Sequence, residues 1–465
     1  MLTNRSAAPF LLAALAAAWV IFCYNPFLLW FQNDDFTHLF LSRNGVIFQT
    51  DAFRPLCDVH RIIEYNLWGK NPVGYHATNV VLHFACTVVF FYLAKKFAPG
   101  NYTTAQARIF ALTAAMLFLI TPNHSESTFW ILGDTAILGA IFPLAALLFF
   151  LKKKRSGVHT AISLAAYTLS LLTYESGWVI PAIAFILQWQ TGSFAMNVKR
   201  NLGYFIIQMV IFFCYIYAKA HVNTHLVGNY EAGNFLHFNL AVLAKNFAGL
   251  CFMGFITNTG APVFLFAGFV VLFIVVCIIL ANGRRNFPVK LWLCFLIAVL
   301  PYLSLGIDTH GTEGGRFMYL PSIFVVLIIT HAVRLVKISQ LQYLFVCFAL
   351  ALFGAKLYVN AINYRFAGNV VRQTVSQLAD VPYGKAVIID GLPASQHGAV
   401  ILRSGVTDAI NFYLPEKRIN AQVLSWRDDL KPLQMPYKIV EMAGMDVAGK
   451  PIKYVYTDTA MLVYK

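Results

Sequence analysis

The chain has 465 residues, of which 59% are hydrophobic and only 12% charged, with 35 basic and 20 acidic residues giving a net charge of +15. A soluble domain carries about a quarter charged residues, so this composition excludes an ordinary soluble enzyme, a disordered chain and a collagen-like or coiled-coil fibre. The 41 Phe and 22 Tyr fit lipid contact and an interfacial aromatic belt.

Apolar runs of about 20 residues can span a bilayer. Eleven are read, near 7–30, 76–97, 105–121, 135–151, 158–173, 177–191, 202–220, 262–281, 290–306, 317–336 and 341–360. The first is too long, and too poor in small residues at a cleavage site, for a signal peptide. Alternate turns hold the basic clusters Lys95/Lys96/Arg108, Lys152–Arg155, Lys199/Arg200, Arg284/Arg285/Lys290 and Arg334/Lys337. With Arg5 they contain 15 basic residues and no acid, while every acidic residue falls in the other loops or after residue 360. By the positive-inside rule the N-terminus is cytoplasmic, and the acidic loops and C-terminal region face outward. Residues 239–257 would invert this sorting if they spanned; with Lys245 and Asn246 at their middle they are expected as a helix in the outer interface. Lys219 and Lys356 lie near span ends, where they can snorkel. The eight cysteines form no CxxC pair and read as small buried hydrophobes; only Cys57 sits in a clearly polar loop.

The first outer loop, 31–75, is long and opens with adjacent carboxylates, Asp34 and Asp35. Mutual repulsion and partial desolvation at a membrane edge raise a carboxylate pKa and make a better base; helix N-capping before FTHLFLS is the bland alternative. The same loop supplies Arg54, His60 and Arg61, and arginine offers phosphate a planar fork of donors. Further outer loops hold His124 and Glu126 (TPNHSESTFWILGD), Glu175 (TYESGW), His221, His225 and Glu231, and Asp308, His310, Glu313 and Arg316 (GIDTHGTEGGRFMYLPS). Any one of these can be a solvated loop residue. Glu175, squeezed between two spans, is costly unless it lines a polar cavity. His124 and Glu126 with Asp34 or Asp35 could ligate a divalent cation such as Mg or Mn, although a hydrogen-bonded acid/base group accounts for them without a metal. No phosphate-binding glycine loop for a nucleotide is visible.

Residues 361–465 hold 12 basic and 9 acidic residues and the β-prone runs KAVIID, AQVLSW, YKIVEM, KYVYTD and AMLVYK. With helices expected near 365–379 and 399–412, this reads as a small α/β domain outside the membrane. The fold class expected is thus an all-α polytopic membrane domain, 1–360, followed by an extracytoplasmic α/β domain, 361–465.

The order of motifs carries a resemblance: the acidic pair, FRPL, NPVGYHATNVVLH, HSESTFW, LLTYESG and GGRFMYLPS. Over 1–360 the chain resembles the GT-C superfamily of integral-membrane glycosyltransferases, in particular the bacterial polyprenyl-phosphate-sugar-dependent members and the membrane part of tetratricopeptide-containing O-mannosyltransferases. The tetratricopeptide array is missing, which puts a protein acceptor of that kind in doubt. The resemblance implies a single sugar moved from an undecaprenyl-phosphate donor to an acceptor hydroxyl of a glycan, lipid or protein, with inversion, on the outer face of a bacterial plasma membrane. It implies Asp34 as base beside Asp35, Glu126 as the acid of the second outer loop, and Arg316 on the donor phosphate. Arg54 or Lys245 would support the charge, with His124, Glu175 and His310 lining the substrate site. No cofactor is required by this chemistry. A ligase using polyprenyl-diphosphate glycans and a lipid-linked-glycan transporter are the alternatives; no acid falls in mid-span and no internal repeat is visible, as a transporter would favour.

Overall fold

A computed structural model describes residues 7–48, 53–152, 154–189, 194–222, 240–256, 287–303, 312–336, 338–379, 383, 386–416, 420–427, 438–442 and 454–456. The expected span at 262–281 and the residues His225, Glu231, Asp308 and His310 lie outside the described residues.

Helix α1 (Ala8–Cys23) enters on Pro9 and runs into a 3-10 turn, Pro26–Leu28. Its exposed Phe10, Leu11, Leu15, Ile21 and Phe22 form an outward apolar face suited to lipid. The first outer loop folds into two short helices, α2 (Asp35–Arg43) and α3 (Pro55–Trp68). Helix α4 (Pro72–Phe97) starts at Asn71, whose side chain accepts the Val73 N–H, with Pro72 at the first helical position. Helix α5 (Thr104–Ile120) carries a Thr103/Gln106 capping box. It is followed at a 49° bend by Pro122–Phe129, which includes α6 (Ser125–Phe129). Helix α7 (Asp134–Phe150) is the central one: 78% of its span window is buried.

Next come α8 (Gly157–Leu171), α9 (Ile180–Gln188), α10 (Phe194–Val222), α11 (Leu240–Ile256), α12 (Phe287–Val299), α13 (Pro321–Leu335) and α14 (Ser339–Leu378). Ala8–Leu28, Pro72–Phe97, Ile131–Phe150, Asn201–Val222 and Ser339–Leu378 are long and apolar enough to cross a bilayer, and the bent pair at 104–129 would make a sixth. Four shorter apolar helices, Glu175–Gln188, Leu240–Cys251, Val289–Tyr302 and Pro321–Leu335, fall below that length. The chain is a multi-pass membrane protein. The region read as an interfacial helix, 239–257, is helical as α11, and Lys245 is exposed on it.

Helix α14 runs 40 residues without a break, through position 360 and on into the C-terminal region. Beyond it lie β1 (Ala386–Pro393), β2 (Ser395–Gln396), β3 (Ala399–Val400), α15 (Val406–Tyr413), β4 (Asn420–Arg427), β5 (Lys438–Met442) and β6 (Tyr454–Tyr456). The longer strands fall on KAVIID, AQVLSW, YKIVEM and KYVYTD and make a sheet in the order β4-β1-β5-β6. In it β1 is parallel to β4, from Ala386 opposite Asn420 to Pro393 opposite Arg427, and antiparallel to β5. The parallel pair needs a crossover, and α15 supplies it.

Two residues sit differently from their sequence reading. Cys57 is no loop thiol: it is buried in the first turn of α3 with Sγ 3.4 Å from the Thr173 carbonyl. Lys219 does not snorkel. It is 1% exposed, with Nζ 5.2 Å over the Trp178 ring, and it feels the charges of Glu175 and Arg54. Helix position alone could not reveal that an acid on another element would meet it.

Candidate active site

Asp34 and Asp35 follow the last apolar turn of the first span, and the chain separates them. Asp35 opens α2 and is fully buried; its Oδ2 accepts the Gln32 N–H at 2.7 Å. Burial pushes its carboxyl well above the ordinary range and Asp34 adds to the rise, against the Gln32 N–H, Arg61 and the Trp130 indole. Asp34 is only half-buried, with Oδ1 accepting from Asn33 Nδ2 at 2.8 Å, and its side chain makes no capping bond to α2. The two neighbours thus differ: Asp35 is enclosed by the fold, while Asp34 keeps part of its side chain exposed.

Glu126 lies 4% exposed on α6. Its Oε2 accepts the backbone N–H groups of Gly314 and Arg316 at 3.0 and 2.9 Å, and its Oε1 takes Arg316 Nη1 at 2.5 Å. The GGR sequence explains this grip. Gly314 has φ +91, a left-handed turn that aims two amides at one carboxylate. At Gly315 a Cβ would lie 2.6 Å from the Asn123 carbonyl oxygen, so only glycine lets the two loops approach. The Arg316 guanidinium then lies over Trp130 and Phe317, 5.2 and 4.8 Å from the ring centroids.

Arg54 and Glu175 form a second ion pair, Nη2 to Oε2 at 2.7 Å and Nε to Oε1 at 3.3 Å, and the Tyr174 ring lies 4.6 Å from the guanidinium. Rings link the two pairs: Tyr174 to Tyr302 at 6.0 Å and Tyr302 to Phe317 at 5.0 Å.

A segment of the C-terminal region straps the acidic pair to the late loop. The Asn33 N–H donates to the Ile401 carbonyl at 2.5 Å, and Ser404 N and Oγ both donate to Asn33 Oδ1 at 2.9 Å. Gly405 has φ +74 and packs against the Asn33 carbonyl, where a Cβ would come to 2.9 Å. Thr37 hydrogen-bonds Asp408, and Phe412 packs on Phe31 and Phe36, each with centroids 6.0 Å away. On the other side the Thr312 N–H donates to the His397 carbonyl at 3.1 Å. Arg403, between these anchors, pairs with Glu313 at 2.6 Å and also feels Asp34 and Arg316.

The remaining expected residues are elsewhere. His124 is fully buried in packing, with Nε2 2.9 Å from Ser322 Oγ and its ring 4.3 Å from Tyr319 and 5.3 Å from His83. The set weighed as metal ligands, His124 and Glu126 with Asp34 or Asp35, does not come together: Glu126 is occupied by Arg316 and two amides. Lys245 is exposed, and His310 lies outside the described residues. The motif NPVGYHATNVVLH is largely structural. Asn79 Nδ2 donates to the Trp130 carbonyl at 2.9 Å, and His83 Nδ1 meets the Tyr319 hydroxyl at 2.6 Å. The sequence reading passes over Arg403 and Asp134; nothing local in LRSG announces a residue that pairs with a loop 90 positions upstream.

Mouse protein O-mannosyl-transferase TMTC1 is 34% identical over 105 residues, 23% of this chain and 10% of that protein. Protein O-mannosyl-transferase F38B6.6 of Caenorhabditis elegans is 27% identical over 170 residues, 36% of this chain and 22% of that protein. Human TMTC3, named likewise, is 26% identical over 142 residues, 30% of this chain and 15% of that protein. The chain is similar to protein O-mannosyl-transferases. That agrees with the resemblance its motifs carry, to the membrane part of O-mannosyltransferases of the GT-C superfamily. The matched stretches span less than a quarter of each of these relatives. No protein-family model matches the chain. Among solved structures, ArnT from Cupriavidus metallidurans bound to undecaprenyl phosphate is similar at a TM-score of 0.46, with 11% identity over 89% of this chain and 85% of that one.

Proposed function

We propose that this chain is a membrane glycosyltransferase that moves a single sugar from a polyprenyl-phosphate donor, of the undecaprenyl-phosphate type, to an acceptor hydroxyl on the outer face of the membrane. The observation that carries the reading is the strap at 397–405, which binds Asn33 on one side and Thr312 on the other. It ties the loop of a half-buried carboxylate, Asp34, to the loop of a cation, Arg316, that Glu126 fixes.

The chemistry follows from those groups. The donor is already activated, because its leaving group is a phosphate monoester. Asp34 takes the proton of the acceptor hydroxyl as that oxygen attacks the anomeric carbon. The bond from that carbon to the phosphate oxygen breaks, and the phosphate departs with the electron pair, its growing charge met by the Arg316 guanidinium. A single displacement inverts the anomeric centre through an oxocarbenium-like transition state. Glu126 is a positioning residue that holds the arginine. Arg54 and Glu175 adjoin that centre through the Tyr174–Tyr302–Phe317 rings. Asp35 braces the loop that presents Asp34. We read residues 1–360 as the catalytic membrane domain and 361–465 as an extracytoplasmic domain whose strap closes one wall of the site, with the whole chain in a bacterial plasma membrane.

The test is turnover in detergent with a panel of undecaprenyl-phosphate sugars. Consumption of one donor by the wild type and its loss in Asp34→Asn supports the reading. Activity only with a diphosphate-linked glycan would move the assignment to a ligase, and transport without bond cleavage would move it to a carrier.

A further inference from the structure

Beside the Asp34 loop lies a second cluster that this reaction does not use. His60 and Glu64 are one turn apart on α3 and so share a face. Asp134, the first residue of α7, comes up against them. His60 Nδ1 lies 3.0 Å from Asp134 Oδ2 and 3.5 Å from Glu64 Oε2. One nitrogen and two carboxylate oxygens thus all lie within 4.8 Å of one another. Glu64 and Asp134 are buried, whereas the His60 side chain is 23% exposed and leaves a way in.

Three further features point to a cation. Glu64 Oε1 is buried with no hydrogen-bond partner among the described residues. A carboxylate oxygen in that state is costly unless something positive meets it. Carboxylates are also crowded here: Asp58 and Asp134 both face Arg61, at 3.4 and 3.5 Å, and Glu64 sits beside His60. Arg61 engages Asp134 through Oδ1 at 3.5 Å and donates to Thr135 at 2.6 Å, which leaves Asp134 Oδ2 turned to His60. Finally, the spacing suits a small ion. Tetrahedral zinc with bonds near 2.1 Å places its ligand atoms about 3.4 Å apart, close to the 3.0 and 3.5 Å from His60 Nδ1 to the two carboxylates, with the third edge within 4.8 Å.

We propose that His60 Nδ1, Glu64 and Asp134 form a divalent metal site of the zinc type, which ties the first outer loop to the head of the central helix. An imidazole with two carboxylates is a mixed nitrogen and oxygen set that zinc accepts. The site uses none of Asp34, Glu126 or Arg316, so it stands whether or not the chain transfers a sugar.

The experiment uses the full chain in detergent, stripped with a chelator and dialysed against Zn2+ alone, with elemental analysis and thermal melting as readouts. One zinc per chain is expected, with a higher melting temperature when it binds. His60→Ala and Glu64→Gln should each weaken binding at least tenfold and remove the thermal shift, while His124→Ala should keep both. Glu64→Gln preserves shape, so it serves if the histidine variant does not fold. Co2+ in place of zinc should give visible d–d bands in the wild type and lose them in either ligand variant. Zinc retention that is the same in wild type, His60→Ala and Glu64→Gln, or none in any of them, would overturn the proposal and leave a hydrogen-bonded triad.

Discussion

Two adjacent aspartates with different surroundings should behave differently when changed. Asp35 is buried, which pushes its carboxyl above the ordinary range, and an amide of the same shape can still accept the Gln32 N–H. Asp35→Asn is therefore expected to keep turnover within about threefold, whereas Asp34→Asn should lose 10²–10⁴-fold in kcat, the usual worth of a positioned base (about 3–5 kcal/mol). The same contrast has a pH consequence. A carboxyl whose pKa is raised on folding binds its proton more tightly in the native state, so stability falls as pH rises from its ordinary value, about 3.9, through its folded one. Across that window the melting temperature of Asp35→Asn should fall less steeply than that of the wild type; parallel curves would show that Asp35 does not titrate in this way. Glu126→Gln removes the charge partner of Arg316 and one of its accepting oxygens. We expect a loss of about 1–3 kcal/mol in stability and a rise in KM for the donor, as the guanidinium is no longer held over Trp130.

At the scale of elements, glycines decide whether the loops can meet. Gly315→Ala would put a methyl 2.6 Å from the Asn123 carbonyl, and Gly405→Ala would force φ +74 on an L residue while crowding Asn33 at 2.9 Å. Each should cost roughly 1–3 kcal/mol, read as a lower melting temperature, with Gly405→Ala also loosening the strap and slowing turnover. The same residues show how much was legible in the sequence. The run GGRFMYLPS marked the right place for a close-packed turn, and the acidic pair marked the right loop. Among the described residues apolar runs marked the helices, of which five, or six with the bent pair, are long enough to span against the eleven expected, and period-2 runs marked the strands β1, β4, β5 and β6. What could not be read was pairing between distant segments: Arg54 with Glu175, Glu126 with two amides, Lys219 drawn under Trp178, and the strap at 397–405. His124 illustrates the opposite failure. Its neighbour Glu126 meets Arg316 and two amides, but a helix turn sends the imidazole into a cluster of His83, Phe118 and Tyr319, where its Nε2 meets one serine hydroxyl.

For the whole molecule, the charge excess has a specific meaning. The 15 basic residues in acid-free turns are what the proposed orientation rests on, with those turns inside and the acidic loops outside. The rest of the chain has equal numbers of acids and bases, among them the carboxylates and arginines on which the mechanism rests. Orientation can be checked with single-cysteine variants in a cysteine-free background: a membrane-impermeant thiol reagent applied from outside should label a cysteine at Arg403 and spare one at Lys95 in intact cells. The reverse pattern would put the site on the wrong side for an outward-facing donor. The account as a whole rests on one carboxylate acting on one lipid-linked sugar. Its most direct test is donor consumption by the purified chain with undecaprenyl-phosphate sugars, wild type against Asp34→Asn. The account predicts turnover in the first and a loss of at least a hundredfold in the second; equal turnover in both would contradict it.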